Sequence, residues 1–214
     1  MLIEAATRRN IREIAAIHVD AFPGHFLTQL GQPFLLHYYR LVIEYPLGIL
    51  LSAKSSTGTV CGFASGFLNP PAFYSLFQQK RLRFGLCIVL PILFRPWLVQ
   101  RLIHNRNRVI RTSLEEQDQH HLVELSSIAI HKKHRGQGHG KLLMDAFCHC
   151  AGQLGATTIY LTTDAENNDQ VNNFYKRLGF SRERFCDAPG DRPMYKHTKP
   201  LNVDAIVRKT EQIL

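Results

Sequence analysis

The sequence predicts a mixed α/β fold, and three observations carry that prediction. Short runs of β-branched and aromatic residues alternate with segments whose apolar positions recur every three or four residues. A glycine-rich turn, Arg135-Gly136-Gln137-Gly138-His139-Gly140, stands between one such strand and one such helix. Strands joined through a helix demand at least one parallel pair with a right-handed crossover.

Taken in order, Ile3 to Ala6 is a short strand of edge character. Asn10 is expected to cap a helix with inward positions Ile11, Ile14, Ala15, Ile17 and His18 at three- and four-residue spacing, ended by Pro23-Gly24. Pro33 suits the first turn of a second helix, Phe34 to Glu44, which Pro46 closes. Gly48–Ala53 and Val60–Phe67 form a hairpin around Ser55-Ser56-Thr57-Gly58. Leu122–Ile130 is an apolar strand feeding the glycine turn, and a helix from about Gly138 to Leu154 follows, with Leu142, Leu143, Ala146, Phe147, Cys150, Ala151 and Leu154 on one stripe. Thr157–Thr163 is a strand, Asp169–Leu178 a helix closed by Gly179 in a Schellman pattern, and Ser181–Phe185 and Met194–Leu201 are a closing pair of strands.

The chain has 214 residues, 26 Lys+Arg against 17 Asp+Glu, and a net charge of +9. That length fits a single domain or one carrying an insertion. The excess charge is local. Tyr45 to Leu114 contains no Asp or Glu, yet holds Lys54, Lys80, Arg81, Arg83, Arg95, Arg101, Arg106, Arg108 and Arg111. The N-terminus has no apolar signal-like core, so a cytoplasmic location is expected. The five cysteines (Cys61, Cys87, Cys148, Cys150, Cys186) are scattered, which favours reduced thiols over disulfides or a metal site.

Gly136, Gly138 and Gly140 permit positive φ and close approach of a ligand to the backbone. Consecutive N–H groups at a helix N-terminus form a concave anion site, with Arg135 and Lys141 beside it, and such a site suits a diphosphate. The spacing G-x-G-x-G is not that of the dinucleotide fingerprint, and no Walker motif is present.

The run Leu125 to Gly140 resembles the acetyl-CoA-binding motif of the GCN5-related N-acetyltransferase (GNAT) superfamily: a strand, then [RQ]-x-x-G-x-[GA], then a helix. Asn168-Asp169-Gln170-Val171-Asn172-Asn173-Phe174-Tyr175-Lys176-Arg177-Leu178-Gly179-Phe180 is similar to the family's N-x-x-A-x-x-F-Y-x-x-x-G-F element, with Val171 where alanine is usual. The resemblance implies a mostly antiparallel sheet of six to seven strands flanked by helices and splayed at the acyl-CoA site. It implies one domain over 1–214, with a basic, apolar-centred helical insert at 69–119.

It also implies acetyl-CoA as cosubstrate and N-acyltransfer as the activity. Backbone groups around Ile128, Ala129 and Ile130 would pair with the pantetheine amides. The diphosphate would sit on Arg135, Gly136, Gln137, Gly138, His139, Gly140 and Lys141, and Asn168 would bond the cofactor. Tyr175 stands where the family often carries the general acid that protonates the departing thiolate, although an F-Y pair also suits core packing. Glu124 is the candidate general base, sharing by alternation a face with Ser126 and Ile128; a solvated strand-start glutamate is the equal alternative. His120, His121 and Asp164 are weaker candidates.

The insert centres on an apolar run of eleven residues, Phe84 to Phe94, too short for a bilayer span of about 20 residues. Three readings stay open: a helical lid, a wall whose arginines hold an anionic acceptor, and an amphipathic contact with a membrane through 80–111. Phe22, Phe26, Phe34, Tyr38 and Tyr39 line an acceptor pocket or pack in the core. A small-molecule amine is the expected acceptor, an amino sugar or sugar nucleotide foremost, and a homodimer is admitted. Nucleic acid is disfavoured because no base-reading motif accompanies the charge. A protein or peptide acetyltransferase and a non-catalytic acyl-CoA or membrane-surface module are the competing classes.

Overall fold

Among the described residues seven strands make one sheet in the order β1-β2-β3-β4-β5-β7-β6. They are β1 (Leu2–Ala5), β2 (Gly48–Lys54), β3 (Val60–Leu68), β4 (Leu122–Ile130), β5 (Thr158–Asp164), β6 (Ser181–Phe185) and β7 (Met194–Pro200). The helices are α1 (Ile11–Ala21), α2 (Phe26–Gln29), α3 (Gln32–Glu44), α4 (Pro70–Gln79), α5 (His139–Gln153) and α6 (Asp169–Arg177). The computed structural model describes residues 1–80, 119–186 and 193–202. Most of the predicted insert 69–119 therefore lies outside the described residues, as does the 80–111 span beyond Lys80. Among the described residues no helix is long and apolar enough to cross a membrane.

Every pairing among the described strands is antiparallel except β4 with β5. That parallel pair has only three rungs, Leu122↔Thr158, Val123↔Ile159 and Glu124↔Tyr160. Beyond Glu124 the two strands part, while β4 stays paired to β3 as far as Ile130 and β5 to β7 as far as Asp164. A wedge-shaped gap thus opens in the middle of the sheet.

The two sheet faces carry different cores. On one face α1, α3 and α4 bury Ile14, Phe34, Tyr39, Phe63, Phe67 and Phe73, an aromatic cluster in which Phe67 and Phe73 stack at 3.8 Å. On the other, α5 and α6 cover a largely aliphatic core of Ile49, Leu51, Leu125, Leu143, Met144 and Ile159 with Phe147 and Tyr175. Burying each such side chain contributes about 1.5–3 kcal/mol.

Local sequence explains most helix ends. Gly31 stands at φ +92° before α3, with Pro33 in the first turn. Asn69 takes a left-handed φ of 54°, and its side chain accepts from the Ala72 N–H at 3.3 Å to start α4. Gly179 sits at φ +83°, and the Phe180 N–H reaches the Tyr175 carbonyl at 3.1 Å, closing α6 as a Schellman motif. Asn10 departs from expectation: its Oδ1 accepts from the Thr7 N–H and hydroxyl at 2.9 and 3.0 Å, and makes no bond into α1. Its backbone is already helical (φ −81°, ψ −14°), which turns the side chain back toward Thr7.

Candidate active site

The gap between the outer halves of β4 and β5 is where backbone groups stay open. His131 donates its N–H to the Cys61 carbonyl on β3 at 2.8 Å. By two-residue alternation Ala129 also directs its backbone polar groups at β3, whereas Ile128 and Ile130 direct theirs into the gap. The Ile130 carbonyl accepts from Arg135 Nε at 3.0 Å, so this guanidinium braces the end of β4.

A bulge redirects β4. Ser127 pairs with Ser65 and Leu125 with Gly66, leaving Ser126 as the extra residue. Before it, Val123 and Leu125 join the α5 face; after it, Ile128 and Ile130 join that face and Ala129 the aromatic one. The face expected to hold Glu124, Ser126 and Ile128 is therefore split. Glu124 and Ser126 look toward α3 and α4, and Ile128 looks the other way, because one inserted residue reverses the alternation. Gly66 permits the close pairing: a Cβ there would lie 2.1 Å from the Glu124 carbonyl oxygen.

At the mouth of the gap, Gly136 and Gly138 stand at φ +76° and +78°, and a Cβ on either would project into open space. None of the N–H groups of residues 136–140 donates to a carbonyl among the described residues, while Lys141 already donates to Gly138 at 3.0 Å. Consecutive N–H groups without a backbone acceptor ahead of and at a helix start are the kind of donor set that can accept an anion, aided by the helix dipole. This donor set fits a diphosphate. His139 Nδ1 lies 3.2 Å from the His134 carbonyl, and Lys141 is exposed and ion-paired with Asp145 at 2.6 Å. Gly140 packs toward Phe174, whose ring would lie 3.5 Å from an added Cβ, and so α6 borders the turn.

A buried polar knot ties α6 to the opposite wall. The Thr163 hydroxyl donates to Asn172 Oδ1 at 2.6 Å, Asn172 Nδ2 donates to the Asp164 carbonyl at 3.0 Å, and His197 Nε2 lies 3.0 Å from Thr163 Oγ1. Asn168 Nδ2 reaches the same Asp164 carbonyl at 3.4 Å. Tyr175 is buried between Phe174, Phe180 and His197, at ring distances of 5.2, 5.5 and 5.2 Å. Burial raises its phenol pKa well above the ordinary value near 10, so it holds its proton throughout the working pH range.

Glu124 occupies the vertex, on the last paired rung. Tyr160 donates to its Oε2 at 2.6 Å and Tyr74 to its Oε1 at 3.0 Å. Tyr38 and Ser126 hydrogen-bond beside it, and burial raises the Tyr38 pKa, the Ser126 bond opposing and the Glu124 charge adding to the rise.

Comparison with known proteins bears on the fold. Residues 97–180, which contain the glycine turn and α6, match the model of the acetyltransferase (GNAT) family. That segment, 84 of the 214 residues, carries the sequence likeness to the GNAT acetyltransferase family. Its fold is similar to that of the GNAT N-acetyltransferase YhbS from Escherichia coli in complex with CoA (16% identity, TM-score 0.55, covering 96% of this chain and 83% of that one). It is also similar to a GNAT acetyltransferase from Streptococcus pneumoniae (15%, 0.56, 94% and 99%) and to aminoglycoside 6'-acetyltransferase type Ii (15%, 0.60, 94% and 98%). At these identities the likeness establishes the fold. No curated protein matches the chain in sequence.

Within this fold Ile128 and Ile130 direct backbone groups into the gap, residues 135–141 stand beyond the end of β4, and Glu124 lies at the inner end. Asn168 precedes α6 at its N-cap position, and Tyr175 is buried in the core beside Phe174, Phe180 and His197. Ala129 is turned aside, its side chain in the aromatic core. His120 and His121 lie at the closed end of β4, against Asn69 and the Gly155 carbonyl. Asp164 stands on the far wall. Phe34, Tyr38 and Tyr39 are core residues, while Phe22 and Phe26 are partly buried. Lys80 pairs with Glu44 at 3.3 Å. The sequence did not single out Tyr74, Tyr160 or Asn172. An N-x-x-x-N spacing, Asn168 and Asn172 one helical turn apart, is the signal that marks the last.

Proposed function

We propose that the chain transfers an acetyl group from acetyl-CoA to the primary amine of a small acceptor by direct attack. The observation that carries this is the row of five open N–H donors on the Gly136–Gly140 turn, set at the mouth of a gap into which Ile128 and Ile130 direct their backbone groups. The turn binds the diphosphate, and the Ile128 and Ile130 groups pair with the pantetheine arm. A gap-facing N–H of β4 polarises the thioester carbonyl. Arg135 fixes the strand end from which these groups project.

The neutral amine attacks the carbonyl carbon, a C–N bond forms and the C–S bond breaks. Tyr175, kept protonated by burial, gives its proton to the departing thiolate. Glu124 takes the amine proton. It precedes Ile128 by four residues, about 13 Å along a strand, so that proton travels through water. Much of the acceleration comes from holding amine and thioester together.

The favoured acceptor is an amino sugar, free or as a sugar nucleotide. The acid-free basic stretch from Tyr45 to Leu114 suits a phosphate-bearing molecule, and the phenols around Glu124 suit a hydroxylated ammonium. The test is release of CoA thiol with acetyl-CoA and a panel of amino sugars, sugar nucleotides, polyamines and peptides. Turnover on amino sugars is expected, with Tyr175→Phe slower by roughly a hundredfold. Turnover confined to peptides or polyamines overturns the acceptor. Tight acetyl-CoA binding with no turnover on any amine, and Tyr175→Phe behaving like the parent, overturns the enzyme.

A further inference from the structure

We infer that Tyr160 and Tyr74 are positioning residues that clamp the Glu124 carboxylate at the vertex of the gap, which deepens the assignment of Glu124 as base and rests on it. Each oxygen of the carboxylate accepts one phenol: Tyr160 reaches Oε2 at 2.6 Å from β5, and Tyr74 reaches Oε1 at 3.0 Å from α4. The first is in the range of a charge-assisted O–H···O⁻ bond.

The clamp is assembled from three distant parts of the chain. Tyr160 is the Cα partner of Glu124 on the last rung before β4 and β5 separate. Tyr74 sits one helical position past Phe73, which is locked under the sheet by its stack on Phe67. Tyr74 itself packs edge-on against Phe67 at 5.5 Å. The bulge at Ser126 makes the arrangement self-consistent, because it keeps Glu124 and Ser126 on the α3/α4 face while the strand beyond serves the cofactor side.

A carboxylate can accept at about four lone-pair sites, and the two phenols fill one on each oxygen. Held in one orientation by two phenols, the carboxylate takes the amine proton through water. Both phenols keep their own protons. The carboxyl leaves the step protonated and returns its proton to solvent. Because the phenols bond to the charged form, removing either makes the carboxylate harder to ionise.

The test is a ¹³C NMR titration of glutamate side-chain carboxyls in the full chain, the Glu124 signal being the one lost in Glu124→Gln. Tyr160→Phe and Tyr74→Phe are each expected to move that signal's midpoint upward by about one pH unit. Each should also lower acetyl transfer, to whichever amine of the panel the parent acetylates fastest, by roughly tenfold with acetyl-CoA affinity unchanged. Midpoints unmoved in both variants overturn the clamp. A moved midpoint with Glu124→Gln as active as the parent overturns the base assignment, and the positioning role with it. Should Tyr160→Phe not fold, as thermal melting will show, Tyr74→Phe decides by itself, because Tyr74 is only half-buried.

Discussion

The two faces of this sheet are built from different side chains and serve opposite halves of the site. The face under α1, α3 and α4 is aromatic, with Phe34, Tyr38, Tyr39, Phe63, Phe67 and Phe73 in mutual edge and stacked contacts, and it presents Glu124 with its phenols. The face under α5 and α6 is mostly aliphatic, with Leu125, Leu143, Met144 and Ile159, and it carries the glycine turn and Tyr175. Aliphatic packing gives a firm, featureless base for a backbone-made anion site. Phenols, by contrast, fill a core and still offer a hydroxyl at its edge. In the proposed function the carboxylate base therefore lies on the aromatic face, and the backbone anion site and the buried Tyr175 phenol on the other.

The strongest challenge to that division is a matched pair of cavities. Leu143→Ala under α5 and Phe63→Ala under α1 and α3 both empty fully buried positions, at a cost of about 3–4 kcal/mol each. Urea unfolding is expected to show similar losses. Calorimetry should then separate them: Leu143→Ala weakens acetyl-CoA binding by roughly tenfold, and Phe63→Ala leaves it within about twofold. Equal loss in both would erase the distinction between the faces.

Acid sharpens the comparison, since each face buries one histidine. His18 contacts Tyr39 at 2.6 Å, and its pKa is lowered to about 4 by burial and then by nearby His25. His197 is lowered to about 4 by burial and then by Arg182. The folded values lie below the ordinary 6.5, so the unfolded chain binds protons first. Stability is complete above pH 6.5 and declines as pH falls toward 4, by up to about 3 kcal/mol for His18 and by less for His197, where solvent screening is greater. Thermal melts from pH 7.5 to 4 should show that decline, and His18→Gln and His197→Gln should each flatten part of it. A melting temperature independent of pH across that window would contradict the burial of both.

The smallest effect belongs to the surface of the donor site. Lys141→Ala removes an exposed i,i+4 pair with Asp145, worth about 0.3–0.5 kcal/mol, so the melting temperature should barely change. Acetyl-CoA binding should weaken a few-fold at low salt and converge with the parent at high salt. A loss that persists in high salt would mean that Lys141 touches the ligand at close, desolvated range.

How much could be foreseen varied with how local the cause was. Strand and helix order was legible because it depends on periodicity within each segment, and the Schellman end of α6 because it depends on Gly179 alone. The bulge at Ser126 was not, because it arises from pairing with Ser65 and Gly66 on a strand some sixty positions away. For the same reason Glu124 could be named but not its face beyond Ser126, nor its partners Tyr74 and Tyr160.

The sequence by itself determined the glycine turn. Positive φ at Gly136 and Gly138 and a helix starting at His139 are consequences of a few adjacent residues, and they suffice to leave a row of N–H groups open. Only the tertiary structure decided what that turn belongs to. The wedge opens because β4 and β5 share three rungs and then follow different neighbours. Tyr175 stays protonated because α5, α6 and β7 enclose it, and Glu124 is oriented because a helix and a strand from either side bring one phenol each. Those are properties of burial and long-range pairing, and no local run of residues contains them.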